Sequence, residues 1–176
     1  MLLAIYMIAQ LIPLLTRQLT TIEILKNISP ICMLLCAIYK HIVFWRQAET
    51  IKEFMEEVKH DWGSMNDEEL KILKEYAYLG KRYSTIFAMF VSPSVVIAMA
   101  AHFTSDILDI VSPLNESRPH WSPVATEYFV DQQKYFYPIM LYENLAIFAG
   151  GTMFVGTESL ITMWLHHFAA LFKIIW

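Results

Sequence analysis

One stretch dominates what this chain can fold into: from Phe136 to Trp176 it runs for 41 residues with three charges, Glu143, Glu158 and Lys173. The hydrocarbon core of a bilayer is about 30 Å thick, and a helix of roughly 20 apolar residues crosses it. This run is long enough to cross once and continue for several turns beyond the far surface. Soluble cores rarely need a helix so long and so apolar, so the run reads as a membrane span. Composition agrees, with 56% hydrophobic and 17% charged residues, against about 25% charged in soluble domains.

The other spans follow from the same criterion. Residues 1–15 are apolar from the first residue, with no basic leader and no small-residue cleavage site, so they make a poor signal peptide. At about 1.5 Å per residue a helix here is short for a crossing, which suggests a span whose beginning is missing. Pro13 bends its end or marks its exit. Residues 28–45 form a second span, with Ser29-Pro30 as its start signal. Lys40 and His41 lie late in it, close to Trp45 and Arg46, where a lysine snorkels to the interface. Residues 84–104 form a third span with Ser92-Pro93-Ser94 at its middle, a proline bend whose freed carbonyl nearby hydroxyls can satisfy. The fourth span covers 136–160, and its Gly150-Gly151 and Gly156 permit close helix approach. The fold class is therefore all-α, a polytopic transmembrane bundle of four spans.

Between the second and third spans, residues 46–83 change character. Ile51, Phe54, Met55, Val58 and Trp62 recur at helical spacing, an amphipathic helix. Gly63-Ser64 breaks it. Asn66 followed by Glu69 reads as a capping box opening a second helix, whose face carries Leu70, Leu73, Ala77 and Gly80. These helices extend the neighbouring spans into water, and their charges form a solvated face. Residues 105–135 are a long polar connection, the length at which a loop usually acts as a functional loop or lid.

Charge orients the bundle. Lysines and arginines number seven in 46–83, two in 16–27 and two in 105–135. The excess marks the cytoplasmic side, so 46–83 is cytoplasmic, the other two connections are outside, and both chain ends are cytoplasmic. Asn115-Glu116-Ser117 is then a glycosylation sequon on the outer side. Asn27-Ile28-Ser29 has the same form, but Pro30 follows it and the membrane is close, which weighs against modification.

Several function classes fall away. A net charge of −4 does not suit nucleic-acid binding. Cys32 and Cys36 sit four apart in one apolar helix, a packing pair and no disulfide framework. The six histidines fall on different segments, and no nucleotide, hydrolase or metalloprotease motif is present. No enzyme activity, cofactor or metal is expected. Glu143 and Glu158 are intramembrane carboxylates, which are functional candidates by default.

The connection and fourth span, PLNESRPHWSPVATEYFVDQQKYFY followed by the apolar run ending HHFAALFKIIW, resemble the insect odorant receptors, in particular those of ants, bees and wasps. Asp61-Trp62, Glu69, Tyr76-Ala77 and Gly80-Lys81-Arg82 carry the likeness into the third span. The resemblance covers essentially the whole chain. It implies a plasma-membrane receptor with an intracellular N-terminus, seven spans and roughly twice this length. It also implies a volatile odorant as ligand and a shared co-receptor, with which the receptor forms a ligand-gated cation channel. The seventh span lines the pore, so residues 1–176 are expected to be part of a receptor and to give no odorant-evoked current alone. The family's pocket lies in the outer half of the membrane. Chain direction then selects Met33 and Ala37, Val95, Met99 and Phe103, and Tyr142 and Ala146. These offer an adaptable apolar wall with Tyr142 as polar tip. Alternatives are a gustatory-type chemoreceptor and a four-span accessory membrane protein without a ligand.

The orientation has a direct check. An epitope in the 63–66 turn should bind antibody only after cells are permeabilised, and Asn115→Gln should increase gel mobility by the loss of one glycan. Labelling of the turn on intact cells would reverse the assignment.

Overall fold

The computed structural model describes residues 2–18, 20–112 and 118–176. Among them the regular structure is entirely helical: α1 (Leu2–Thr16), α2 (Thr21–Arg46), α3 (Ala48–Ser64), α4 (Asp67–Ala100), a 3₁₀ turn (Ala101–Phe103), α5 (Thr104–Val111) and α6 (Phe136–Ile175). Three helical stretches are long and apolar enough to cross a membrane: α2, α4 with its continuation to Val111, and α6. At 15 residues, α1 is the short apolar helix that its sequence predicts. Along the spans the large apolar side chains point outward, Met89 at 68% and Phe90 at 75% exposure among them. An outward apolar surface of this extent is costly in water and natural in lipid.

Two boundaries differ from the sequence reading. α2 begins at Thr21, a full two turns before Ser29-Pro30. The cause is a capping box: Thr20 N–H donates to Glu23 Oε2 at 2.8 Å, and the Glu23 N–H reaches back to Thr20 Oγ1 at 3.4 Å. That reciprocal pair satisfies the first free donors, and the helix then carries Pro30 inside it. The polar connection also starts later than residue 105, because α5 continues the third span to Val111. The predicted capping box at α4 is present, with Asn66 N–H on Glu69 Oε2 at 2.9 Å and Glu69 N–H on Asn66 Oδ1 at 3.0 Å. Cys32 and Cys36 are exposed, so they do not pack the core.

The chain divides into two compact units, one of Met1–Ile38 with Pro93–Gly151 and one of Tyr39–Ser92 with Thr152–Trp176. In the first, the buried side chains follow helical periods: Leu3, Tyr6, Gln10 and Pro13 on α1, Asn27, Ile31 and Leu34 on α2, Phe136, Met140, Glu143 and Ala146 on α6. Gly151 belongs to this packing. A Cβ there would stand 2.5 Å from Val95 Cγ2, closer than any van der Waals contact permits. Of the three glycines expected to allow close approach, Gly151 is the one that requires it; Gly150 has ordinary room and Gly156 is open.

In the second unit Leu73 and Gly80 of α4 are buried, as is Ala170 of α6, with the His166 ring against Gly80. Phe44 stacks on Trp164 at 6.3 Å, and Phe54 of α3 meets Trp164 and Phe168. His167 Nε2 lies 3.0 Å from Asp61 Oδ2, so α3 is attached to α6 by aromatic packing and one polar pair.

Gly151→Ala should destabilise the first unit by about 1–3 kcal/mol, the range for overpacking. Val95→Ala in the same chain should restore most of the loss, because it removes the methyl that the new Cβ meets. Thermal unfolding in detergent checks both.

Candidate functional site

The buried polar groups of the first unit converge on Glu143. This carboxylate is 1% exposed, two turns into α6, and an uncompensated charge there would be prohibitive. Four side chains compensate it. Thr126 Oγ1 donates to Oε1 at 2.9 Å and the Tyr128 hydroxyl to the same oxygen at 3.2 Å. Ser122 Oγ donates to Oε2 at 3.3 Å, and His102 Nε2 lies 2.9 Å from Oε2. A carboxylate only accepts, so Nε2 carries the proton in this arrangement. Burial, and then the charge of Glu143, push the Tyr128 phenol well above its ordinary pKa, which keeps it a donor.

Three of these four partners lie on one connection, residues 118–135, and the same connection is attached to two more helices. Pro13 has no N–H, so the Ala9 carbonyl of α1 loses its helical partner; the Glu127 N–H takes that place at 2.9 Å. Arg17 pairs with the Glu127 carboxylate. On α2, Asn27 presents Nδ2 to the Ala125 carbonyl and Oδ1 to the Ala125 N–H, both at 3.1 Å. Asn27 is buried and uses both ends of its amide in this way, which agrees with the reading that its sequon is not modified. Within the connection, Gln133 bridges the His120 N–H and carbonyl, and His120 stacks on Phe136 at 4.4 Å. Asn115 lies outside the described residues.

The seven positions selected by depth are distributed unevenly. Ala37 and Ala146 are buried, Val95, Met99 and Tyr142 half-buried, and Met33 and Phe103 exposed at 60% and 39%. Val95 packs against Gly151. The Tyr142 hydroxyl donates to the Leu2 carbonyl at 2.8 Å, and its ring receives Tyr128 edge-on at 6.1 Å. The cavity beside Glu143 measures about 40 Å³, far below the roughly 300 Å³ at which small-molecule sites begin. A cavity of about 470 Å³ does occur, in the second unit, lined by Val58, Trp62, Leu73, Ala77 and Met163 with Lys81 and His166. None of the seven lines it.

Lys40 also departs from expectation. Instead of snorkelling free, it pairs with Glu158 and lies 4.7 Å from the Phe154 ring centre. Sequence reasoning treated the two charges separately. Their joint depth in α2 and α6 was the signal that could have linked them. Among the described residues no group of three or more metal-binding side chains occurs.

A family model described as 7tm Odorant receptor matches residues 20–175. Neither a curated protein nor a solved structure matches the chain.

Removing one member of a partly buried ion pair strands the other. Lys40→Met should therefore lower thermal stability in detergent, and Lys40→Met with Glu158→Leu should recover it. A double variant no better than the single would show that the two charges do not act as a pair.

Proposed function

Because the chain belongs to the insect odorant receptor family, we propose that it is the odorant-binding subunit of a ligand-gated cation channel assembled with a co-receptor. The matching family model is what carries this reading, and three helices able to cross a membrane support a multi-pass receptor. We place both chain ends in the cytoplasm and residues 118–135 outside, on the lysine and arginine count.

The odorant seat is proposed in the first unit, around Ala37, Met99, Tyr142 and Ala146, with Met33, Val95 and Phe103 at its margins. The supporting observation is chemical. These side chains are apolar apart from one hydroxyl, and a volatile ligand with few hydrogen-bonding groups is held by dispersion and desolvation, with a single polar contact for orientation. Methionine adapts to ligands of different outline.

A second reading is favoured by the 470 Å³ cavity of the second unit, which has the size of a small-molecule site. The two readings separate in cells expressing the receptor with its co-receptor and challenged with an odorant panel. Met99→Ala and Tyr142→Phe should shift dose–response curves by about fivefold at unchanged surface expression, in line with a change of roughly 1 kcal/mol. Met163→Ala should leave them in place. The reverse pattern would move the seat to the second unit.

A further inference from the structure

Glu143 is the buried charge through which the connection is hydrogen-bonded to α6, the helix that carries part of the proposed seat. It neighbours Tyr142 in sequence and holds Thr126, Tyr128 and Ser122 by hydrogen bonds. Tyr128 reaches both: its hydroxyl is on Glu143 and its ring edge is against Tyr142. Two further ties, Asn27 to Ala125 and Ala9 to Glu127, use the main chain of the connection, and Arg17 of the α1–α2 segment pairs with the Glu127 side chain. They hold the connection to α1 and α2, while to α6 it is held by the hydrogen bonds of this carboxylate together with the ring contacts of His120 on Phe136 and Tyr128 on Tyr142. Little space is left between the connection and Glu143, and the Tyr128 ring lies edge-on against Tyr142 from the side of the connection.

We propose that Glu143 is a positioning residue: it fastens the connection 118–135 as a strap across Tyr142, and a ligand reaches the Tyr142 layer when that fastening opens. What lies beneath the strap rests on the odorant reading above; the fastening itself does not. The carboxylate suits the task. Four donors on one acceptor hold firmly together, yet each net hydrogen bond is worth only about 0.5–1.5 kcal/mol, so local opening needs no unfolding of the helices. His102 of the 3₁₀ turn, Tyr128 of the connection and Tyr6 of α1 are the titratable groups facing Glu143 from the elements around it.

The test needs no odorant. Cys32 and Cys36 are changed to Ala, and single cysteines are placed at Ala125, on the strap, or at Tyr142, beneath it. Labelling by a membrane-impermeant maleimide is timed on intact cells. With Glu143 present both reporters should label slowly. Glu143→Ala should speed both about tenfold, the factor that corresponds to losing roughly 1.4 kcal/mol of closure. Glu143→Gln should fall between, since its amide oxygen still accepts from Thr126 and Tyr128. A cysteine at Ser64, labelled after permeabilisation, should be unaffected, which separates strap release from general unfolding. Should Glu143→Ala fail to reach the surface, Thr126→Val with Tyr128→Phe keeps the carboxylate, removes two donors, and should speed both reporters. Unchanged rates at Ala125 in these variants would overturn the fastening, and acceleration at Ala125 without Tyr142 would overturn the covering role. Labelling of both reporters only after permeabilisation would reverse the orientation, and the same rate comparison would then be made in permeabilised cells. Unaltered odorant tuning in Met99→Ala and Tyr142→Phe would refute the seat without touching the strap.

Discussion

A carboxylate withdrawn from water must be met by donors, and in the first unit that requirement decides where a whole connection lies. Glu143 lies on α6 with the buried Phe136, Met140 and Ala146. Burying it is tolerable only because His102, Ser122, Thr126 and Tyr128 arrive together. If any of these were drawn away, the remaining partners would be left around a poorly compensated charge, and the penalty of a partly satisfied polar network exceeds that of an apolar one. The cluster therefore holds or loosens as a set.

The same logic of unmet backbone and side-chain groups explains the rest of the attachment. A proline in α1 frees the Ala9 carbonyl, and a buried asparagine in α2 offers one donor and one acceptor. The connection supplies the complements at Glu127 and Ala125. It has no strands, yet its position is fixed at three helices. The second unit is built differently, by aromatic contacts among Phe44, Phe54, Trp164 and Phe168 and a histidine seated against a glycine. Its cavity is lined mainly by apolar side chains, with Lys81 and His166 among them.

How much of this could be read from the chain depends on how local the cause is. The α3–α4 break and the Asn66–Glu69 cap were legible, since turn residues and a three-residue spacing specify them. The long apolar runs gave the spans for the same reason. The start of α2 was misread because Ser29-Pro30 resembles a start signal, while the operative one, Thr20 with Glu23, lay in a stretch taken for polar linker. Membrane depth selected Ala37 and Ala146, which are buried, alongside Met33 and Phe103, which are exposed, because depth fixes the height of a residue and not its facing. The surroundings of Glu143 were out of reach. Its partners come from positions 102, 122, 126 and 128, and a connection without periodicity carries no pattern that says which side chains converge.

The carbonyl that Pro13 sets free has a consequence for the order of assembly. Its partner, the Glu127 N–H, is more than a hundred residues further along, and Asn27 waits 98 residues for Ala125. Synthesis delivers the N-terminal helices first, so the Ala9 carbonyl and the Asn27 amide are made well before the groups of the connection that pair with them. The carboxylate that secures that connection emerges later still, on α6. Closure of the first unit is thus a late event in biogenesis. Until then the Ala9 carbonyl and the Asn27 amide depend on water or on neighbouring side chains, and the hydrogen bonding of the first unit is complete only once α6 has been made.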